Sequence, residues 1–383
     1  MREIQSAEAL AAHLASGAGL DGEVLQGLDL TDHVARLKGH SLAGAMLLGC
    51  SLPPVLRERA AAEGALVFPR IEGVPFDPYR NALYRVEDLY DRFDYRRPES
   101  YAACLDAKVY AHWQATGGAQ PRSIRETLAR RLHDHAMTDA LEELLHPDDR
   151  PDPRVVGVMG GHKMSRAEPA YRQAVTMSRA LSRRGFLMAT GGGPGAMEAA
   201  HVGSWFAAAD DAAVDEAIAL LAEAPTYRDP LWLAKAFEVR ARFPASPVGP
   251  ARHVGLGIPT WLYGHEPPNA FATHIAKYFA NSVREDGLLT IARHGIVYTP
   301  GSAGTIQEIF QDACQNHYVT AGVVSPMIFF GVRYWTEEKP VFPLLQRLAA
   351  GMEYGRWLSI TDDPDEAVAT LERYAAETVA ADG

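Results

Sequence analysis

The sequence predicts an α/β protein, a doubly wound, Rossmann-like parallel sheet with helices on both faces, preceded by a smaller mixed α+β domain. Three observations carry that expectation. Short apolar runs without polar alternation recur through the second half of the chain, which is how strands covered on both faces read. Segments of helical period lie between them. A cluster of acidic residues and prolines, HPDDRPDP at 146–153, marks a boundary, giving an accessory domain over 1–150 and a doubly wound domain over 151–383.

In residues 1–150, AMLLGCSL (45–52) and GALVFPRI (64–71) predict two short strands around a helix at 54–63. The segment 75–101 is rich in Tyr and Arg and reads as irregular chain whose rings pack on the domain surface. A helix follows over Arg122–Leu145, and no long-period repeat is expected. Beyond the boundary, RVVGVM (154–159) predicts a strand ending in Gly160-Gly161. A helix over 168–184 places Tyr171, Ala174, Val175, Ser178 and Leu181 on one face. Phe186–Thr190 is the second strand, and a mostly helical insertion occupies about 205–245. Further strands are expected at 253–258, 295–299, 326–330 and 357–361, with helices near 268–286, 303–317, 341–350 and 365–377. Asp363 caps the last of these and Pro364 takes its first position.

Charge and composition exclude several classes. With 37 basic and 48 acidic residues the net charge is −11, opposite to the field that a polynucleotide partner requires. The first twenty residues lack the apolar core of a signal peptide, and no stretch of ~18 apolar residues suggests a membrane span. Cys50, Cys104 and Cys314 are too few and too widely spaced for a disulfide frame or a zinc site. A cytosolic protein with neither metal nor cofactor is the expectation.

Two glycine-rich turns join a strand to a helix, where open α/β sheets bind ligands. The first is Thr190-Gly191-Gly192-Gly193-Pro194-Gly195-Ala196-Met197-Glu198. It matches neither the dinucleotide fingerprint nor the Walker loop, and it suits either anion binding by helix-terminal N–H groups or tight packing. The second is Pro300-Gly301-Ser302-Ala303-Gly304-Thr305-Ile306-Gln307-Glu308. Its backbone and hydroxyls can surround a phosphate. Glu308, one turn on, either shares that rim or simply complements the helix dipole.

Together these motifs resemble the Lonely Guy (LOG) family of nucleoside 5′-monophosphate phosphoribohydrolases. Residues 300–308 match the family's PGGxGTxxE except for Ser302, Gly160-Gly161 matches its first glycine pair, and 191–193 matches its GGG turn. The resemblance covers about 154–375, and GGGPGAME brings the chain closer to the larger bacterial purine/pyrimidine nucleotide nucleosidases. It implies hydrolysis of an AMP-like monophosphate to free base and ribose 5-phosphate. Gly160, Gly161, Gly191, Gly192, Gly193, Gly195, Gly301, Ser302, Ala303, Gly304 and Thr305 would hold the substrate, and Glu308 and Arg284 would be catalytic. It also implies a homodimer or higher homo-oligomer.

The family's Arg-Lys pair is here Arg284-Glu285, 300 − 284 = 16 positions before Pro300, with Lys277 as the reserve cation. These departures leave two alternatives open, a nucleotide-binding sensor without catalysis and a nucleosidase specialised for a modified nucleotide. His162, Glu266 and Asn269 are further ligand-side candidates. His133 and His135 project from different helix faces and read as structural.

Overall fold

The computed structural model describes residues 3–147, 151–245 and 254–381. The chain forms two compact units, Met1–Leu83 with Ala111–Leu144, and Tyr84–Tyr110 with Leu145–Gly383. The expected division at 150 therefore needs amending, because residues 84–110 pack with the second unit. The boundary segment 146–153 lies partly outside the described residues, as does the start of the strand expected at 253–258.

The first unit holds β1 (Glu3–Ile4), β2 (Val24–Gln26), β3 (Met46–Leu48) and β4 (Leu66–Phe68), paired in that order. The two strands flanking the Pro54–Glu63 helix stand as expected, but two more precede them and all pairs are parallel. Register partners Glu3, Val24, Met46 and Leu66 are spaced 24 − 3 = 21, 46 − 24 = 22 and 66 − 46 = 20 residues apart. The sheet is thus a stack of near-equivalent turns, where the sequence suggested no repeat. Leu25 lies over Leu47, and Leu20, Leu28, Leu42 and Cys50 fill the same core. Gly27 and Gly49 each end a strand with positive φ, +68° and +62°, a conformation that favours glycine. The repeat escapes detection because only leucines and these glycines recur.

The second unit is the expected doubly wound sheet. It contains β5 (Arg154–Met159), β6 (Phe186–Thr190), β7 (Gly255–Gly257), β8 (His274–Ile275), β9 (Ile296–Tyr298), β10 (Met327–Phe330) and β11 (Leu358–Thr361). Their order is β11-β10-β9-β5-β6-β7-β8. The core joins Val156, Val158, Met188, Val297 and Ile328 of the strands to Met177 and Leu181 of the Pro169–Arg183 helix and Val368 and Leu371 of the Pro364–Ala381 helix. Asp211–Ala222 and Trp232–Arg242 are the helices of the insertion. Arg166 fixes that insertion, donating to the carbonyls of Leu221, Ala224 and Trp232. Its Nε and Nη2 also grip Glu198, at 2.8 and 2.5 Å.

Two expectations are corrected here. A helix does not run over 268–286: its second part belongs to the Asn281–Ile291 helix, while 274–275 form β8 at the sheet edge. Pro267 and Pro268 precede a turn held by Asn269, and Ile275 to Tyr278 are all at most 2% exposed, so no polar helical face exists there. The aromatic segment after Tyr84 is not surface packing either. Tyr84 and Tyr90 are buried, Tyr90 against Phe93, Tyr101 and Phe237.

Among the described residues no helix is long and apolar enough to cross a membrane.

Candidate functional site

The chain winds from β5 outward through β6, β7 and β8, then returns to β9 on the other side of β5. This reversal between β5 and β9 is a topological switch point, and the loops after the carboxyl ends of such strands form the ligand crevice of open α/β folds. A cleft of about 240 Å³ lies there, with Gly160, Gly191, Arg284, Ser302, Thr305 and Glu308 in its lining.

The loop after β5 is threaded between its neighbours. Gly161 N donates to Pro300 O at 3.0 Å, and Gly161 O accepts from Ala196 N at 3.3 Å. A Cβ on Gly160 would stand 1.9 Å from Thr299 Oγ1 and 2.8 Å from Ala196 Cβ, so this crossing requires glycine. Both Gly160 and Gly161 line the cleft.

The turn after β6 divides between the two readings given to it. Gly191 lines the cleft, whereas Gly192, Gly193 and Gly195 are buried away from it. Asn269 Nδ2 donates to the carbonyls of Gly192 and Gly193 at 3.0 and 3.1 Å. His201 supports Asn269 from behind, and burial pushes its ring pKa down to about 4. Asn269 is therefore a clamp on this turn, and its ligand-side candidacy ends there. Glu198, on the helix that follows, also points inward: Arg166 holds it bidentately and the Tyr171 hydroxyl donates to it at 3.0 Å.

The turn after β9 opens to the cleft. Gly301 is buried, its carbonyl accepting from the Tyr334 hydroxyl at 2.5 Å and Lys339 Nζ at 3.2 Å. Ser302, Gly304 and Thr305 line the cleft, while Ala303 is exposed outside its lining. The Ala303–Tyr318 helix begins here, and the Ser302 hydroxyl does not cap it. Its amino end is a ready anion site on two grounds, orphan N–H groups and the helix dipole.

Glu308 and Arg284 meet in this cleft, Arg284 Nη1 donating to Glu308 Oε1 at 3.3 Å. Their side chains are 14% and 12% exposed. Burial pushes the Glu308 carboxyl up to about 7, and the Glu285 charge adds to the rise against the opposing pull of Arg284. Arg284 stands in the first turn of the Asn281–Ile291 helix, not near the end of a longer one. Its Nε is buried and makes no hydrogen bond among the described residues, so it keeps a donor for an anionic or hydroxylic ligand. Lys277 is no substitute. It is fully buried beside Asp106 at 2.5 Å, its pKa lowered by burial.

The cleft also takes in His162 and Glu266, both foreseen as candidates and 3.5 Å apart at Nδ1 and Oε1. It also carries Lys163, Met197 and Tyr263, which the sequence did not single out. Lys163 was visible as the cation that follows Gly160-Gly161-His162, but Tyr263 had no comparable signal. His133 is buried and His135 pairs with Asp139 at 3.2 Å. Among the described residues no group of three His, Cys, Asp or Glu side chains is arranged to hold a metal ion.

No family model and no curated protein matches the chain. Among solved structures it is similar to a molybdenum cofactor carrier protein from Chlamydomonas reinhardtii, 15% identical, covering 59% of this chain and 99% of that one, with a TM-score of 0.37. It is also similar to a molybdenum cofactor binding protein from the phototrophic bacterium Rippkaea orientalis, 15% identical, covering 58% and 98%, with a TM-score of 0.33.

Proposed function

We propose that this protein hydrolyses the N-glycosidic bond of a nucleoside 5′-monophosphate, giving free base and ribose 5-phosphate, as a member of the LOG family acting as a cytosolic homodimer or higher homo-oligomer. The observation that carries this reading is the pairing of Glu308 with Arg284 beside an uncapped helix amino end at the switch point. The first turn of that helix takes the 5′-phosphate, and the glycine crossing at Gly160-Gly161 brings backbone close to the ribose. As the C1′–N bond lengthens, positive charge develops on the ribose as in glycoside hydrolysis. The Glu308 carboxylate stabilises that charge and accepts a proton from the attacking water. Oxygen then bonds to C1′, and the base leaves with the electron pair of the broken bond and gains a proton. Arg284, drawn from Glu308 toward the substrate, offers its remaining donors to the phosphate or ribose oxygens.

The test is incubation with AMP, GMP, IMP, CMP and UMP, with chromatography for free base. Release by the wild type and its loss in Glu308→Gln support the proposal. Undiminished release by Glu308→Gln, or recovery of tightly bound nucleotide intact, sinks it, and the latter outcome identifies a nucleotide-binding sensor.

A further inference from the structure

A turn that lines the cleft is held by a part of the chain far from it in sequence. Tyr263 and Glu266 line the cleft, and Glu266 N donates to Tyr263 O at 2.8 Å, closing the turn. Trp261, Gly264 and Pro268 alternate with them and meet residues 84–110.

Each of these three positions has its own anchor. Pro268 O accepts from the buried Tyr90 hydroxyl at 2.5 Å. Gly264 lies on the Tyr110 ring so closely that a Cβ would come within 2.2 Å of Tyr110 Cδ2. The Trp261 ring has Lys277 Nζ at 5.0 Å and stacks on Phe279 with ring centroids 4.5 Å apart. Lys277 is fixed in turn by Asp106 at 2.5 Å, and the other Asp106 oxygen accepts from Tyr101 at 2.9 Å. Tyr84 completes the seam by exchanging backbone hydrogen bonds with Ile275.

The sheet order separates the strand that leads into this turn from the strand that leads into the Ser302 loop. On the nucleotide reading the phosphate end lies after β9, and the turn follows β7, three strands away in the order β9-β5-β6-β7. At strand spacing the two strand ends are about 14 Å apart, the scale of a nucleotide, and the turn reaches back toward the β9 loop as far as His162, 3.5 Å from Glu266. We propose that residues 84–110 are a strap that sets the base-facing wall of the cleft, with Tyr90 and Asp106 as positioning residues acting through the Tyr263–Glu266 turn. The identity of the ligand rests on the nucleotide reading above, but the strap itself rests on these contacts.

The experiment compares wild type, Tyr90→Phe, Gly264→Ala and Gly264→Ala/Tyr110→Leu. Tyr90→Phe keeps the ring and deletes one hydroxyl, Gly264→Ala pushes the turn off Tyr110, and the double variant reopens that space. For each variant the ratio of kcat/KM for AMP to that for UMP is measured, together with the affinity for ribose 5-phosphate. Gly264→Ala is expected to shift the ratio by about tenfold or more, since a small misplacement of a positioning group has effects of that order. Ribose 5-phosphate affinity stays within about twofold, Tyr90→Phe shifts the ratio less, and the double variant moves it back toward wild type.

An unchanged ratio, or equal weakening of both nucleotides and ribose 5-phosphate, overturns the strap. Asp106→Asn strands the buried Lys277 charge and is therefore paired with Lys277→Met, which is expected to fold and to show the same altered ratio. If no base is released from any nucleotide, the hydrolytic reading fails by itself, and the same ratio is taken from calorimetric binding of intact AMP and UMP. If neither nucleotide binds, the strap has no base to position and fails as well.

Discussion

Glu198 and Glu308 occupy similar places in the sequence and opposite places in the physics of the protein. Each follows a glycine corner between a strand and a helix, Glu198 at 198 − 195 = 3 residues after Gly195 and Glu308 at 308 − 304 = 4 after Gly304. Glu198 is fully buried and takes both donors of a bidentate arginine plus a tyrosine hydroxyl. Glu308 has a single longer contact to Arg284 and borders a cleft. A buried carboxylate with all its partners is part of the framework, whereas one with too few partners keeps a raised pKa and a capacity to react. Partner count separates the two roles where motif and position do not.

The largest expected effect breaks the Glu198 side of the pair. Glu198→Ala leaves Arg166 charged, buried and without its carboxylate, and should lower unfolding free energy by about 3–5 kcal/mol in urea titration. Glu308→Gln does the reverse: it costs no stability, while base release falls by about 10²–10⁴-fold. Equal destabilisation by the two substitutions would remove the distinction.

Titration sharpens it further. The folded Glu308 carboxyl titrates near about 7 against an ordinary 4.5, so the folded state holds its proton more tightly than the unfolded chain. Its contribution to stability is complete below pH 4.5 and is lost as pH rises to about 7. Asp312, pushed up to about 7 by burial, behaves alike. The signature of Glu308 is therefore the difference between wild type and Glu308→Gln, measured in urea across that window. Base release by the wild type should climb over the same range as the carboxylate forms. The smallest effect belongs to Ser302→Gly, at an exposed position that caps nothing: stability within about 0.5 kcal/mol, and base release close to wild type.

Much of the doubly wound domain was legible because its signals are local. Apolar runs such as RVVGVM and FLMAT coincide with β5 and β6, and the helices at 303–318 and 364–381 follow their periodic signals. The corners that meet at the switch point were legible for the same reason. What the sequence hid depends on distant partners. Arg166 and Glu198 are 198 − 166 = 32 residues apart and nothing local pairs them. Residues 274–279 contain helix formers, yet they lie extended because both faces are covered. The aromatic rings of 84–110 gave no hint that their contacts lie beyond residue 230. At the site, Glu308 and Arg284 were both named in advance, but Arg284 was placed on the wrong part of a helix, and half of the glycines assigned to the ligand instead pack against the protein.

The stack of β1 to β4 has a consequence of its own. Each of its turns rests mainly on the one before and after it, with a rise set by strand spacing rather than by any unique side chain, as in repeat proteins generally. Such an array is a ruler with interchangeable gradations. Duplicating or deleting one stretch of 20–22 residues changes its length while leaving the remaining turns in register. In evolution the first unit can therefore be lengthened or trimmed by whole turns.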